Sequence, residues 1–403
     1  MADKDHWLLP EGIEDVLPPQ AERLEWLRRD LLDLFHGWGY ELVIPPLVEY
    51  LESLLSGMSR DLDLQTFKLT DQLTGRLMGV RADMTPQVAR IDAHHLKRNA
   101  PVRLCYLGTV LHTRPDGFAR SRNPLQVGAE LYGHAGIESE IEILCLMQEV
   151  LTLTGVSDAH LDLGHVGIFR GLAREAGLDA AHEVILFDAL QRKAVPEMQS
   201  LLAELRVTAE QRQRLLCLAE LNGGIEILAE AENALRGSGS EVKRALADLQ
   251  AIAQAAGRYL PEVPLHFDLG ELRGYHYHTG VVFAAFVPGH GQAVAQGGRY
   301  DVGHLYGQPR PATGFSADLK TLIALSPGQA VAHVSGILAP WSDDPVLRNT
   351  VRELREEGER VIWALPGQAG DAADLGCDRR LEQYKGEWTV VEIGHPIEDT
   401  KSG

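Results

Sequence analysis

The chain has 403 residues, enough for two or three domains, and 45% of them are hydrophobic, which is typical of folded proteins. The net charge of −19 argues against a broad nucleic-acid-binding surface, because binding to phosphates depends on clustered lysine and arginine. The four cysteines lie far apart without a CxxC spacing, which predicts neither a disulfide scaffold nor a zinc knuckle.

The first residues lack a basic region followed by an apolar run, so no signal peptide is predicted. No apolar stretch approaches the roughly 18 residues of a membrane span. We therefore expect no membrane contact and a reducing, cytoplasmic location.

The first 160 residues predict an antiparallel sheet with helices packed on it. Apolar residues recur at helical spacing and predict a helix over residues 19–36. Proline, glycine and apolar patterns predict a strand over 40–44, antiparallel pairs over 66–70 with 75–80 and 103–110 with 125–132, and a helix over 138–153. The apolar stripe of the first helix, together with Trp26 and Trp38, favours a contact between two copies. The alternative is that the stripe only covers its own sheet.

Alanine, leucine, glutamate and arginine dominate from about residue 169 to 260 and predict a helical insertion. Strand patterns return over 265–286 and 292–296. Ser326-Pro327-Gly328 predicts a domain boundary, which divides the chain into residues 1–325 and 328–403. Beyond it, strands over 334–339, 361–365 and 388–393 and a helix over 345–357 predict a small α/β unit with parallel strands.

No glycine motif for phosphate binding is present, neither GxGxxG nor GxxxxGK[ST], and no cofactor is predicted. Gly289-His290-Gly291 and Gly297-Gly298 are interpreted as turns. His276 and His278 lie two apart on a predicted strand and face the same side, as a metal pair could. Because no third ligand stands at an obvious spacing, we predict a structural or ligand-contacting role and no metal.

The predicted strand over 125–132 places Gln126, Gly128 and Glu130 on one face. Two long polar side chains with a glycine between them are typical of the floor of a polar ligand site. The alternative is a solvated sheet face.

Several separated motifs resemble those of histidyl-tRNA synthetases, which are class II aminoacyl-tRNA synthetases. The resemblance spans residues 8–325 and implies an α+β class II fold: an antiparallel sheet with flanking helices and a helical insertion. The motifs are Arg-Ala-Asp-Met-Thr-Pro at 81–86, the strand–loop–strand segment at 106–133, Arg-Gly-Tyr-His-Tyr-His-Thr-Gly at 273–280, Gly-Gly-Arg-Tyr-Asp at 297–301 and Ala-Thr-Gly-Phe-Ser-Ala-Asp-Leu at 312–319.

The resemblance implies a pocket for free histidine. Asp83 and Thr85 match the positions that hold its amino group. Gln126 and Glu130 match substrate contacts of the second class II motif. Arg273 matches the histidyl-specific arginine, and Tyr277 lies in the aromatic pair that frames the imidazole.

Two departures affect the ATP side of this pocket. His112 stands where the second motif has a phosphate-binding arginine, and Thr321 replaces the arginine of the third motif. Arginine supplies a permanent charge and a planar fork of donors, which neither replacement reproduces. Asp318 adds negative charge, and Lys320 and Arg114 are out of register for compensation. Adenylation of histidine is therefore not expected.

From Gly328 onward, 14 acidic residues stand against 8 basic ones, a net charge of −6, which is unsuited to reading tRNA. A histidine pocket without ATP arginines and without a tRNA reader resembles the regulatory subunits of ATP phosphoribosyltransferase. That resemblance implies a short-form catalytic subunit as partner, self-association, and histidine control of the first step of histidine biosynthesis. The alternatives are a divergent histidyl-tRNA synthetase and a free-standing histidine sensor.

Overall fold

The computed structural model describes residues 7–55, 60–115, 121–275, 277–326 and 335–394. The chain divides into two compact units, Met1–Pro327 and Gly328–Gly403. The strands are β1 (Glu41–Leu42), β2 (Val48–Tyr50), β3 (Phe67–Thr70), β4 (Leu77–Val80), β5 (Val102–Thr109), β6 (Leu125–Tyr132), β7 (His160–His165), β8 (Asn222–Gly223), β9 (Leu265–Asp268), β10 (His278–Phe286), β11 (Ala293–Asp301), β12 (Pro311–Asp318), β13 (Gly336–Pro340), β14 (Arg360–Ala364), β15 (Cys377–Tyr384) and β16 (Glu387–Glu392). The helices are α1 (Gln20–Gly37), α2 (Leu51–Leu54), α3 (Arg60–Gln65), α4 (Thr85–Ile91), α5 (Glu138–Leu153), α6 (Val166–Glu175), α7 (Ala180–Gln191), α8 (Val195–Glu204), α9 (Ala209–Cys217), α10 (Ile227–Ala234), α11 (Ser240–Tyr259), α12 (Gly303–Tyr306), α13 (Leu319–Leu325) and α14 (Pro345–Glu356).

Nine of the described strands form one large sheet in the order β1-β5-β6-β12-β11-β10-β7-β9-β8. The six strands from β5 to β7 in this order pair antiparallel. Parallel pairing occurs near the two ends, between β1 and β5 and between β7 and β9. The predicted antiparallel sheet with helices packed on it is therefore confirmed, and so is the pairing of β5 with β6.

The two faces of this sheet have different chemistry, as β6 shows. Val127, Ala129 and Leu131 join the main hydrophobic core with α1, α5 and α11. The intervening residues Gln126 and Glu130 point to the opposite face, because successive side chains of a strand alternate. The main core thus lies on one side of the sheet, and the other side carries these polar side chains beside a second, smaller hydrophobic cluster that includes Leu104, Tyr106 and Tyr132.

The apolar stripe of α1 is not an exposed contact surface. Leu24, Leu27, Leu31 and Phe35 are all buried in the core of the same chain. The Trp38 side chain donates a hydrogen bond from Nε1 to Glu149 at 2.9 Å. The stripe therefore covers its own sheet, and the favoured interpretation as a contact between copies was wrong for these residues.

Two local predictions around the glycine motifs were also wrong. Residues 273–275 and 277 form a turn, and β10 begins only at His278; His276 lies outside the described residues. Gly297 and Gly298 are not a turn but lie within β11, paired on both sides. A Cβ atom on Gly297 would lie 2.1 Å from the backbone oxygen of Gly314, so these glycines serve close strand packing rather than chain reversal.

Helices α6 to α11 fill the segment between β7 and β9, where composition predicts the insertion. In the second unit, β13 pairs parallel with β14 and β15, while β15 and β16 pair antiparallel. The prediction missed β15, whose sequence alternates few apolar residues with many charged ones. No helix in the described part of the chain is long and apolar enough to cross a membrane.

Candidate functional site

A buried carboxylate stands at the centre of the polar face of the large sheet. Glu130, only 2% exposed, accepts hydrogen bonds at Oε1 from Tyr106 at 3.0 Å and Thr85 at 3.1 Å, and at Oε2 from Tyr300 at 2.7 Å. Burial raises the pKa of Glu130 to about 8, although the three hydroxyl donors act in the opposite direction. The site therefore holds a group whose charge changes near neutral pH and which can accept a hydrogen bond from a polar ligand.

The floor beneath this carboxylate is made of backbone. A Cβ atom on Gly314 would lie 1.6 Å from Oε2 of Glu130, and one on Gly128 would lie 2.5 Å from the hydroxyl of Tyr106. Gly314 is opposite Glu130 in the β12–β6 pair, and Gly298 is opposite Gly314 in the next pair. Glycine at these positions leaves the space that the carboxylate and its tyrosine partners occupy.

Asp83 and Gln126 form one wall of the site. Gln126 donates from Nε2 to Asp83 Oδ1 at 2.7 Å, and its Oε1 accepts from the backbone N–H of Met84 at 2.9 Å. The same Asp83 oxygen accepts from the backbone N–H of Thr85 at 3.0 Å, at the start of α4. These bonds fix the carboxylate of Asp83 and the hydroxyl of Thr85 relative to β6.

Tyr277 and Arg273 reach the site from the turn before β10. The Tyr277 ring stacks on Tyr300, with ring centres 4.7 Å apart. Arg273 donates from Nε to Glu271 at 3.1 Å, and its guanidinium lies 4.8 Å from the centre of the Phe286 ring. Arg273 is thus held by a neighbouring carboxylate at the edge of the site.

The structure brings five of the six predicted residues to one cavity of about 140 Å³: Asp83, Thr85, Glu130, Arg273 and Tyr277. Gln126 lines an adjoining cavity of about 960 Å³, which Asp83 and Arg273 also line. Sequence reasoning assigned no role to Tyr106 and Tyr300, which bond to Glu130. A signal for Tyr300 existed, since it lies two residues after Gly298 in the quoted motif.

Tyr275 and His278, both in the motif at residues 273–280, are held by contacts with the rest of the protein. Tyr275 is buried against Phe169 and Phe187 of the helical insertion instead of framing the cavity with Tyr277. His278 lies with Nδ1 3.3 Å from the backbone oxygen of Arg299, and burial lowers the pKa of its imidazole to about 4.

The larger cavity contains the two positions where phosphate-binding arginines were expected. His112 contacts the backbone oxygen of Ala82 through Nε2 at 2.9 Å. Thr321 donates from its hydroxyl to Asp318 at 2.7 Å, and Asp318 also accepts the backbone N–H of Leu125 at 2.9 Å. Both replacements are thus engaged with the protein itself.

Among the described residues that line this cavity, Arg273 is the only lysine or arginine, so no other such cation replaces the two expected arginines. Lys320 lies 3.9 Å from Glu14 in an ion pair, and Arg114 is exposed. The carboxylates of Asp83 and Asp318 line the same space. A cavity with this balance of charge is unfavourable for a polyphosphate.

Two family models and several curated proteins match this chain. A family model described as Histidyl-tRNA synthetase matches residues 12–322, and one described as ATP phosphoribosyltransferase subunit HisZ C-terminal domain matches residues 334–391. The ATP phosphoribosyltransferase regulatory subunit of Thioalkalivibrio sulfidiphilus is 63% identical over 395 residues, covering 98% of this chain and 100% of that protein. The corresponding subunit of Alkalilimnicola ehrlichii is 61% identical, covering 95% and 96%.

Solved structures show the same relationship. An ATP phosphoribosyltransferase regulatory subunit/histidyl-tRNA synthetase from Bacillus halodurans has a TM-score of 0.80 at 26% identity, covering 92% of this chain and 96% of that one. The histidyl-tRNA synthetase from Nostoc sp. PCC 7120 has a TM-score of 0.74 at 16% identity, covering 96% and 97%, which supports the fold alone. The class II fold is confirmed, and the chain belongs to the family of ATP phosphoribosyltransferase regulatory subunits.

Proposed function

We propose that this chain is a non-catalytic regulatory subunit that assembles with a short-form catalytic subunit of ATP phosphoribosyltransferase. In this proposal it is required for activity and for histidine control of the first step of histidine biosynthesis, in the cytoplasm. The main support for this proposal is a difference between the two cavities in the groups that line them. The smaller cavity has a connected set of polar groups, whereas the larger cavity has His112 and Thr321 at the positions where the resemblance implies phosphate-binding arginines.

Free histidine is the proposed ligand of the smaller cavity. Asp83 and Thr85 are placed to receive its ammonium group, and Glu130 to accept a hydrogen bond from a ligand N–H. Tyr277 offers an aromatic surface for the imidazole. Gln126 supports this site through Asp83, and Arg273 supplies the positive charge for a carboxylate.

The purified chain should not activate histidine, because neither an imidazole nor a hydroxyl reproduces the permanent charge and planar fork of donors of an arginine. Histidine-dependent ATP–pyrophosphate exchange should stay at background. An active histidyl-tRNA synthetase, measured in parallel, shows that the assay works. Exchange at synthetase-like rates would instead identify a divergent synthetase.

Assembly with the partner is the direct test of the proposed role. A subunit without chemistry can regulate only through contacts that differ between the active and inhibited states of its partner. Mixing this chain with the short-form catalytic subunit should therefore raise phosphoribosyltransferase turnover and make it sensitive to histidine. Separate elution in size-exclusion chromatography with unchanged turnover would contradict the proposal and favour a free-standing histidine sensor.

Self-association is proposed through apolar side chains around β1 and α1 that the fold leaves uncovered. Trp26 is 59% exposed and Ile44 is 81% exposed, as an interface would require. In the assembly experiment, sedimentation should show a dimer or larger species that Ile44→Glu disrupts. Leu73→Glu, at a 95% exposed apolar position in the turn between β3 and β4, serves as the matched control.

A further inference from the structure

The turn between β9 and β10 presents side chains in two directions. Arg273 and Tyr277 line the small cavity, whereas the side chain of Tyr275, between them, is 4% exposed and packs against the helical insertion. Gly274 has a φ of +63°, and its backbone oxygen accepts from the N–H groups of Tyr277 at 2.8 Å and His278 at 2.9 Å. This tight reversal makes the position of Tyr275 and the positions of the two cavity residues depend on one another.

Two helices of the insertion hold Tyr275. Its ring stacks on Phe187 of α7, with ring centres 4.6 Å apart, and meets Phe169 of α6 edge-on at 5.5 Å. Its hydroxyl donates a hydrogen bond to Glu183 of α7. Burial and this carboxylate raise the pKa of the Tyr275 hydroxyl, which keeps it a donor at neutral pH.

Arg170 of α6 holds the backbone on both sides of Tyr277. Its Nη2 donates to the backbone oxygen of Tyr275 at 3.0 Å and to that of His278 at 3.2 Å. Its guanidinium also lies 4.9 Å from the centre of the Tyr275 ring. One side chain from the insertion therefore contacts both ends of the segment that carries Tyr277.

We propose that Arg170, Tyr275 and Glu183 are positioning residues that couple the helical insertion to the histidine site. This inference rests on the proposed function, because it explains how occupancy of that site is transmitted. The insertion holds the turn in the conformation in which Arg273 and Tyr277 face the cavity. By reciprocity, bound histidine stabilises the contact of the turn with α6 and α7. The insertion is thus the part of the chain whose order changes with histidine.

The test compares variants that loosen the turn with variants that preserve its contacts. Tyr275→Phe removes the hydroxyl but keeps the stacked ring, and Arg170→Lys keeps the charge but loses the planar fork of donors. Both should weaken histidine binding, measured by calorimetry, by roughly 5- to 150-fold, the range typical of coupling between sites. Glu183→Ala should act in the same direction, whereas Glu183→Gln retains an acceptor and should restore binding close to wild type.

A matched control lies one turn further along α6. Arg174→Lys alters a 70% exposed arginine that pairs with Glu241, away from the turn. It should leave histidine affinity unchanged. Hydrogen exchange of backbone amides in segments 270–278 and 180–191 supplies a second readout, which should be faster in Tyr275→Phe and Arg170→Lys and slower when histidine is bound to wild type.

The outcomes separate this inference from the proposed function. Wild-type affinity and wild-type exchange in both Tyr275→Phe and Arg170→Lys would overturn the coupling while leaving the histidine site intact. If wild type binds no histidine, the assigned site is wrong, and exchange over 270–278 still tests the positioning. Faster exchange in the two variants than in Arg174→Lys would then support it, and equal exchange would refute it.

Discussion

Above about pH 8, where Glu130 is ionised, Glu130→Ala should weaken histidine binding by roughly 10- to 150-fold, since a hydrogen bond to a charged group contributes about 1.5–3 kcal/mol. The substitution removes the acceptor at the centre of the cavity and leaves the hydroxyls of Tyr106 and Tyr300 without the carboxylate to which both donate. Calorimetric titration of the purified chain measures the effect. Gln126→Ala should act in the same direction by releasing Asp83.

Two further variants give this prediction a control for folding and position. Glu130→Gln keeps the shape and an acceptor oxygen, and should lose less affinity than Glu130→Ala. Glu142→Ala removes a carboxylate from α5, which binds Arg103 on the core side of the sheet, and should leave histidine affinity unchanged. Unchanged binding in both Glu130→Ala and Gln126→Ala would show that histidine binds elsewhere.

The free energy of unfolding should contain a term from Glu130 that falls as the pH rises from about 5 to 8. The pKa of this carboxyl is about 8 in the folded chain against a usual value of 4.5. Between these values the folded state keeps a proton that the unfolded state releases, so a higher pH favours unfolding. The slope reaches about 1.4 kcal/mol per pH unit for one such group.

Urea unfolding of wild type and Glu130→Gln between about pH 5 and 8 isolates the contribution of Glu130 to the free energy of unfolding. The amide cannot ionise, so the stability of the variant relative to wild type should increase with pH. The difference should flatten above about pH 8, where the folded carboxyl also loses its proton. Parallel stability curves for the two proteins would show that Glu130 does not carry a raised pKa.

Patterns that depend on neighbours in the chain predicted much of this fold. The helix over 138–153 and the strand over 125–132 match α5 and β6 residue for residue, because apolar periodicity and strong boundaries coincide there. The sequence pattern did not predict the strand β15, because this strand has few apolar side chains among many charged ones. Its position in the sheet is set by pairing with β13 on one side and β16 on the other.

The features of the candidate site likewise divide into those that local sequence patterns predicted and those that depend on distant parts of the chain. Alternation along β6 correctly placed Gln126 and Glu130 on one face, and motif resemblance selected the other cavity residues. Gly297 and Gly298 were misread as a turn because glycine also serves strands that pack closely, and only the partner strands distinguish the two uses. The burial of Tyr275 in the insertion depends on Phe187, 88 positions away in the chain, which no local pattern could indicate.

Substitutions are tolerated less easily in the smaller cavity than in the larger one, because glycines of the strands form the floor of the smaller cavity. A guanidinium at position 112 or 321 can be lost by one substitution in a loop or at the start of a helix, without moving a strand. The smaller cavity is shaped by backbone. Any side chain at Gly314 would collide with Glu130 and displace it from the hydroxyls of Tyr106 and Tyr300. In such a scaffold, single substitutions can remove phosphate-binding groups, whereas the shape of the smaller cavity is set by the path of the main chain. Redesign of the smaller cavity for a ligand of different shape would accordingly have to begin with strand geometry, not with the side chains of the cavity wall.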